Sequence, residues 1–186
     1  MKYLIVGLGN IGDEYAQTRH NIGFLVADFL VKNLSGNFQT QKLAQIAECK
    51  YKGRTLIVAK PSTYMNLSGK ALRYYLEKEN IPKTNVLVIV DDIALGFGIL
   101  RLRSSGTHAG HNGLRNIEEE LRSNIYSRLR IGIGNDFIKG KQVEYVLGEW
   151  NNDEQTSLPN IIENAVSCVQ SFVFAGLVNT MNTFNK

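Results

Sequence analysis

Lys2-Tyr3-Leu4-Ile5-Val6-Gly7-Leu8-Gly9-Asn10-Ile11-Gly12 runs a short apolar strand into a glycine pattern. The spacing G-x-G-x-x-G after a strand is that of a dinucleotide-binding turn. That mechanism needs a helix that opens at the glycines and aims its N-terminus at a pyrophosphate. Here Asp13 and Glu14 follow the last glycine, and helical spacing (Phe24, Leu25, Asp28, Phe29, Lys32) starts only after Asn21. The acid expected about 20 residues further on falls near Lys32. The stretch therefore reads as a buried strand ending in a turn whose glycines allow positive φ. A nucleotide-dependent oxidoreductase is the weakest reading.

Outward from this strand the elements alternate as in an α/β domain. Asn21 to about Leu34 is an amphipathic helix. Gln45–Tyr51 and Arg54–Lys60 are strands joined at Lys52-Gly53, a hairpin signal. Ser68 to Glu79 is helical, and Val86–Val90 is an all-apolar, β-branched central strand. Gly98–Arg103 and Ser127–Ile133 are further strands. Between them, a glycine-rich stretch leads into a short helix, and residues 104–122 are expected to form a mobile gate. Leu158–Phe174 carries a C-terminal amphipathic helix, its start expected near residue 155.

The chain has 186 residues, against roughly 150 per domain, so residues 1–186 read as one domain. Only Cys49 and Cys168 are present, which excludes a disulfide scaffold and a four-cysteine zinc site. No apolar run reaches the roughly 18 residues of a membrane helix, and the first residues lack the length and cleavage site of a signal peptide. A cytoplasmic protein with no membrane partner is the expectation. The net charge of +4 lies entirely in residues 101–141, which hold eight Lys/Arg and four acids. A local basic face is weak evidence for a polyanion.

His20, at a loop–helix junction, is a candidate general base, since imidazole titrates near neutral pH. Asp91, just after the buried strand, or Asp92 beside it, is its candidate partner, because parallel sheets place sites at that end. Asn10, Asn66 and Asn112 stand in turn contexts and can supply neutral donors to a carbonyl or an oxyanion. No serine elbow, activated-cysteine pattern or metal-ligand spacing is present. Arg101 and Arg103 share one strand face, as do Arg128 and Arg130, and such pairs can clamp a phosphate. The bland alternatives are turn asparagines, a capping acid and charges that protect a sheet edge.

Five stretches together are more specific than any one of them: Leu4–Phe24, Lys60–Gly69, Val88–Asp92, Gly110–Leu114 and Arg128–Gly134. With them the chain strongly resembles the bacterial peptidyl-tRNA hydrolase family over essentially its whole length. The resemblance implies a single α/β domain with a twisted mixed sheet flanked by helices. It also implies hydrolysis of the ester between a peptide, or an N-blocked aminoacyl group, and the 3′-terminal ribose of tRNA. By position, His20 matches the base that activates water and Asp91 the acid that orients it. Asn10 matches the residue that separates blocked from free aminoacyl groups. Asn66 and Asn112 match residues that hold the ester region, and Tyr15, Tyr64, Met65 and His111 match pocket-lining positions. Arg103 and Arg130 match residues that grip the tRNA 5′-phosphate. The implied partner is peptidyl-tRNA at its acceptor end. No cofactor or metal and no covalent intermediate are implied, and the chain is expected to be a monomer. The alternative is a non-catalytic RNA-binding homologue of the same fold. The chain departs from the family pattern at Ile11, Ala94, Gly96 and Ala109, all in loops.

Overall fold

A computed structural model describes residues 1–185. Its strands are β1 (Lys2–Gly7), β2 (Gln39–Gln41), β3 (Ala44–Tyr51), β4 (Arg54–Pro61), β5 (Val86–Asp92), β6 (Leu100–Arg103) and β7 (Ser127–Gly132). They form one seven-stranded sheet in the order β2-β3-β4-β1-β5-β7-β6. The four central strands β4, β1, β5 and β7 are parallel. β3 returns antiparallel on β4, β2 on β3, and β6 on β7. The β3–β4 hairpin turns at Lys52-Gly53 with φ of 45° and 78°, the left-handed pair of a tight two-residue turn.

Six helices accompany the sheet: α1 (Ile22–Asn33), α2 (Ser68–Lys78), α3 (Asn112–Leu121), α4 (Gln142–Val146), α5 (Asn152–Ala175) and α6 (Leu177–Phe184). The period-2 alternation of the central strands divides the core between two faces. Tyr3, Ile5, Leu87, Ile89, Leu129 and Ile131 pack against α1 and α5. Leu4, Val6, Val86, Val88 and Val90 pack against α2 and α3. One sheet covered on both sides makes a single α/β domain, with each buried aliphatic side chain contributing roughly 1.5–3 kcal/mol.

Several boundaries differ from the sequence expectation. The loop at 8–20 contains two short 3₁₀ turns, Asp13–Tyr15 and Arg19–Asn21. α5 begins at Asn152, because Asn151 and Glu154 form a reciprocal capping box ahead of the apolar stripe. Pro159 lies inside this helix rather than at its start. β2, α4 and α6 have no counterpart in the sequence pattern. β2 is three exposed residues, α4 has only five residues and no side-chain cap, and Gly176 at φ 84° separates α6 from α5.

The glycine pattern has a different physical reason from the one expected. Only Gly12 has a positive φ, at 111°. A Cβ on Gly7 would lie 2.7 Å from the carbonyl carbon of Gly23, and one on Gly9 would lie 2.7 Å from the Phe24 ring. These two glycines let the first turn of α1 sit directly against the end of β1.

Candidate active site

That close approach sets the site. It carries the Arg19–Asn21 turn, which leads into α1, over the C-terminal ends of β1 and β5. The backbone N–H of Leu8 donates to Ile89 O at 3.0 Å, so the chain leaving β1 stays beside β5. Asp91 is the sixth residue of β5 and is buried.

His20 Nδ1 lies 2.9 and 3.0 Å from the two Asp91 oxygens. His111 Nε2 lies 2.9 Å from Asp91 Oδ1. Burial alone would push the Asp91 carboxyl up, but the charges and hydrogen bonds of His20 and His111 hold it well below the usual carboxylate range. An ionised carboxylate only accepts, so both nitrogens facing it donate. For His111 the second nitrogen agrees: Nδ1 accepts from the backbone N–H groups of Gly113 and Leu114 at 3.1 and 3.3 Å, capping α3. For His20, donation from Nδ1 leaves the Nε2 lone pair available as a base. Burial lowers the affinity of His20 for a proton, but the charge and hydrogen bond of Asp91 outweigh it and raise the imidazole above 6.5. Asp92, the alternative partner, pairs with Arg130 at 3.2 Å and accepts from Ala94 N–H.

Asn10 is fixed from three directions. Its N–H donates to Asn21 Oδ1 and its carbonyl accepts from Asn21 Nδ2, both at 2.9 Å. Its side-chain Oδ1 accepts from Met65 N–H at 2.9 Å. The remaining Asn10 amide N–H₂ has no partner among the described residues. Asn21 was not among the residues the sequence singled out. Only its neighbour His20 carried a chemical signal, and turn asparagines are common.

Three cavities share walls here. One of about 250 Å³ is lined by Asn10, His20, Tyr64, Met65, Asn66 and Asn112, with α4 residues and Leu147 opposite. One of about 90 Å³ lies between His20, Asp91, His111 and Arg130. One of about 300 Å³ begins at Asn10 and Asn21. Asn66 and Asn112 are exposed on the rim, with no side-chain partner among the described residues. Tyr15 sits in the Asp13–Tyr15 turn and lines none of the three.

The arginines separate by environment. The β6–β7 register pairs Arg101 with Arg130 and Arg103 with Arg128, so all four share one sheet face. Like charges directly opposite repel, and Arg128, at 0% exposure, is compensated by Glu118 at 3.5 Å. It donates to Gly106 O and Asn124 O at 2.9 and 2.8 Å and stacks 4.0 Å from the Tyr126 ring centroid. A phosphate-clamping role for Arg128 is therefore overturned: its donors hold the backbone on either side of α3. Arg130 donates to Thr107 O at 2.7 Å besides its ion pair with Asp92. Arg103 is exposed, outside all three cavities.

A second buried ion pair sits beside the base. Arg19 meets Glu154 at 2.7 Å, 135 residues away, and its guanidinium lies 4.3 Å from the Tyr145 ring centroid. Its N–H donates to Gly148 O at 3.0 Å. The turn holding His20 is thus tied to the segment whose Val143, Val146 and Leu147 wall the furrow. Among the departures, Ala109 adopts φ 49°, a left-handed conformation that glycine takes without penalty.

The donor atoms of His20, Asp91 and His111 lie within 4.8 Å of one another. Both nitrogens facing Asp91 carry protons in the arrangement above. A divalent ion held there would displace two protons and tie up the base.

A family model described as peptidyl-tRNA hydrolase matches residues 4–186. The chain belongs to the peptidyl-tRNA hydrolase family. It is 54% identical over 186 residues to the curated peptidyl-tRNA hydrolase of Parabacteroides distasonis, covering 100% of both chains. To that of Cytophaga hutchinsonii it is 52% identical over 185 residues, covering 100% of this chain and 98% of the relative. The crystal structure of peptidyl-tRNA hydrolase from Acinetobacter baumannii matches with a TM-score of 0.93 at 34% identity, covering 98% of this chain and 94% of that one. The family membership agrees with the resemblance read from the five sequence stretches, and the mixed sheet flanked by helices agrees with the fold it implied.

Proposed function

We propose that this chain hydrolyses the ester joining a peptide, or an N-blocked aminoacyl group, to the 3′-terminal ribose of tRNA. The observation that carries the mechanism is the His20–Asp91 hydrogen bond, which leaves the His20 Nε2 lone pair beside three neutral asparagines. Family membership supports the same reaction.

The chemistry follows from the residues. His20 Nε2 takes a proton from water as the oxygen attacks the ester carbonyl. Asp91 stabilises the imidazolium that forms, and His111, donating from its far nitrogen, keeps the carboxylate in place. The tetrahedral oxyanion accepts hydrogen bonds from the asparagine amides, which stabilise it without adding charge. The ribose oxygen leaves with the proton returned by His20. An ester has an alkoxide leaving group, so one positioned water and one base suffice, and no covalent intermediate or cofactor enters. A base of matched pKa contributes typically 10²–10⁴-fold, and positioning supplies further acceleration.

Asn10, locked by Asn21, directs its free amide N–H₂ to the acyl carbonyl that blocks the aminoacyl nitrogen, an acceptor that a free amino group lacks. Asn66 and Asn112 hold the ester region, with Tyr64 and Met65 shaping its surroundings; Tyr15 is not assigned its expected pocket-lining role, since it lines none of the three cavities. Arg103 and Arg130 bind the tRNA phosphate, which suits recognition of many tRNAs by backbone and end. The loop and short helix of residues 104–122 act as a gate within one domain. The protein works as a cytoplasmic monomer. Among the described residues no helix is long and apolar enough to cross a membrane.

The test is release of N-acetylated amino acid from acylated elongator tRNA, beside the same tRNA with a free amino group and with EDTA present. Rapid release from the blocked substrate alone is expected. Binding of tRNA without release would instead favour a non-catalytic RNA-binding homologue.

A further inference from the structure

Three consecutive residues of the Arg19–Asn21 turn reach three different elements. His20 Nδ1 meets Asp91 at the end of β5, Asn21 holds the Asn10 backbone beyond β1, and Arg19 meets Glu154 at the start of α5. We propose that Arg19 and Glu154 are positioning residues for the reaction: their ion pair fixes the direction of the His20 imidazole and the place of the wall that faces it. The inference rests on the hydrolase reading and deepens its account of the same site.

Neither the turn nor the wall can hold itself. A single 3₁₀ turn fixes several dihedrals for very few hydrogen bonds, and this one has no side-chain cap. α4 has five residues, no side-chain cap and no buried residue, yet Val143 and Val146 line the cavities around His20. Arg19 binds this wall twice. Its backbone N–H donates to Gly148 O at 3.0 Å, just past α4, and its Nη1 donates to Tyr145 O at 3.2 Å, within α4. A Cβ on Gly148 would stand 3.1 Å from Nη1, so that glycine leaves the guanidinium its space.

Glu154 is the fixed end of the pair. Its Oε2 accepts from Arg19 Nη2 at 2.7 Å and from the backbone N–H of Asn151 at 2.8 Å, and Asn151 Oδ1 accepts from Glu154 N–H at 2.9 Å in return. The carboxylate thus belongs to the N-terminus of the 24-residue α5, whose apolar side chains pack in the core with those of α1. Arg19 and Glu154 are each 8% exposed. Burying two charges costs about what their attraction returns, and apolar residues of similar volume often serve stability as well or better. What an apolar pair lacks is the planar fork of the guanidinium, which accepts only certain geometries. The pair therefore contributes a fixed geometry beside the base more than it contributes net stability.

The experiment pairs kinetics with the state of the imidazole itself. The double variant Arg19→Met/Glu154→Gln buries no charge and keeps an acceptor for Asn151 N–H, and Arg19→Lys keeps the charge without the fork. Each is measured below its unfolding transition for kcat on N-acetylaminoacyl-tRNA, for Kd with tRNA, and by ¹⁵N NMR of the three histidines with the imidazoles neutral. The double variant should unfold in urea near the wild-type midpoint, bind tRNA as wild type does, and lose about 10²-fold in kcat, the cost of a misplacement of about 1 Å. Arg19→Lys should lose a smaller part. In wild type His20 should show the Nδ1–H tautomer and His111 the Nε2–H tautomer; in the double variant His20 should become a mixture while His111 keeps its form. Wild-type kcat with an unchanged His20 tautomer in both variants would overturn the positioning role, as would a loss confined to stability. Absence of turnover by wild type would overturn the hydrolase reading, and the tautomers would still decide whether the pair orients His20.

Discussion

His111 Nε2 and His20 Nδ1 meet the same Asp91 oxygen, each at 2.9 Å, and their ring centroids stand 4.8 Å apart. One buried carboxylate therefore orders two imidazoles, which are not equivalent. His111 is committed at both nitrogens, to Asp91 and to the first N–H groups of α3. His20 is committed at one. Of the two, only His20 keeps a nitrogen free to take a proton from water.

The pH dependence follows from this arrangement. His20 must be neutral to act, and Asp91 raises its pKa above 6.5. The kcat/KM profile should rise with pH through a midpoint above that value. Asp91→Asn removes the charge that raises the pKa and leaves the opposing effect of burial, so the midpoint should move to lower pH while the plateau falls. A midpoint unmoved by Asp91→Asn would contradict the coupling.

His111 combines two tasks that substitution can separate. His111→Ala loses both the Asp91 hydrogen bond and the cap of α3, and a lost cap costs typically about 1 kcal/mol. His111→Asn restores a capping oxygen. Thermal or urea unfolding should show the alanine variant destabilised and the asparagine variant recovered, with turnover reduced in both. Full turnover in His111→Asn would remove His111 from the ordering of Asp91.

The arginines on the β6–β7 face should behave differently from one another. Arg103→Ala and Arg130→Ala should weaken tRNA binding and reduce the magnitude of its log–log salt slope by about 1 each. Arg128→Ala should instead destabilise the fold by about 0.5–3 kcal/mol, because it removes a fully buried side chain that joins Gly106 O, Asn124 O and Glu118. An unchanged salt slope in Arg103→Ala and Arg130→Ala would count against the phosphate contact. Unchanged stability in Arg128→Ala would count against its packing role.

Ala109 carries backbone strain next to the site. At φ 49° its Cβ costs roughly 1–2 kcal/mol. Ala109→Gly should raise stability in urea unfolding by up to about 1 kcal/mol, after the added freedom of the unfolded chain is set against the relief. A loss of stability would show that the strain is not there.

What the sequence disclosed was what local pattern encodes. The apolar runs Leu4–Val6 and Val86–Val90, the hairpin at Lys52-Gly53 and the helix after Asn21 each follow from periodicity or turn chemistry over a few residues. His20 was legible as an imidazole at a loop–helix junction, and Asp91 or Asp92 as its partner at the strand end where parallel sheets collect their sites; the family resemblance pointed to Asp91. The contacts that organise the site are long-range and left no local trace. Arg19 finds Glu154 across 135 residues, and nothing around either residue announces the other. Arg128 alternates with Leu129 as a surface strand residue would, and only the pairing of β6 with β7 and the covering helix α3 bury it. Gly7 and Gly9 looked like turn glycines because the residues they make room for, Gly23 and Phe24, belong to another element.

The most direct test of the central claim is turnover of N-acetylaminoacyl-tRNA by wild type and His20→Ala, measured beside the Kd of each for the same tRNA. The account predicts that His20→Ala loses about 10²–10⁴-fold in kcat while its Kd stays at the wild-type value. Wild-type turnover by His20→Ala would contradict the assignment of His20 as the base.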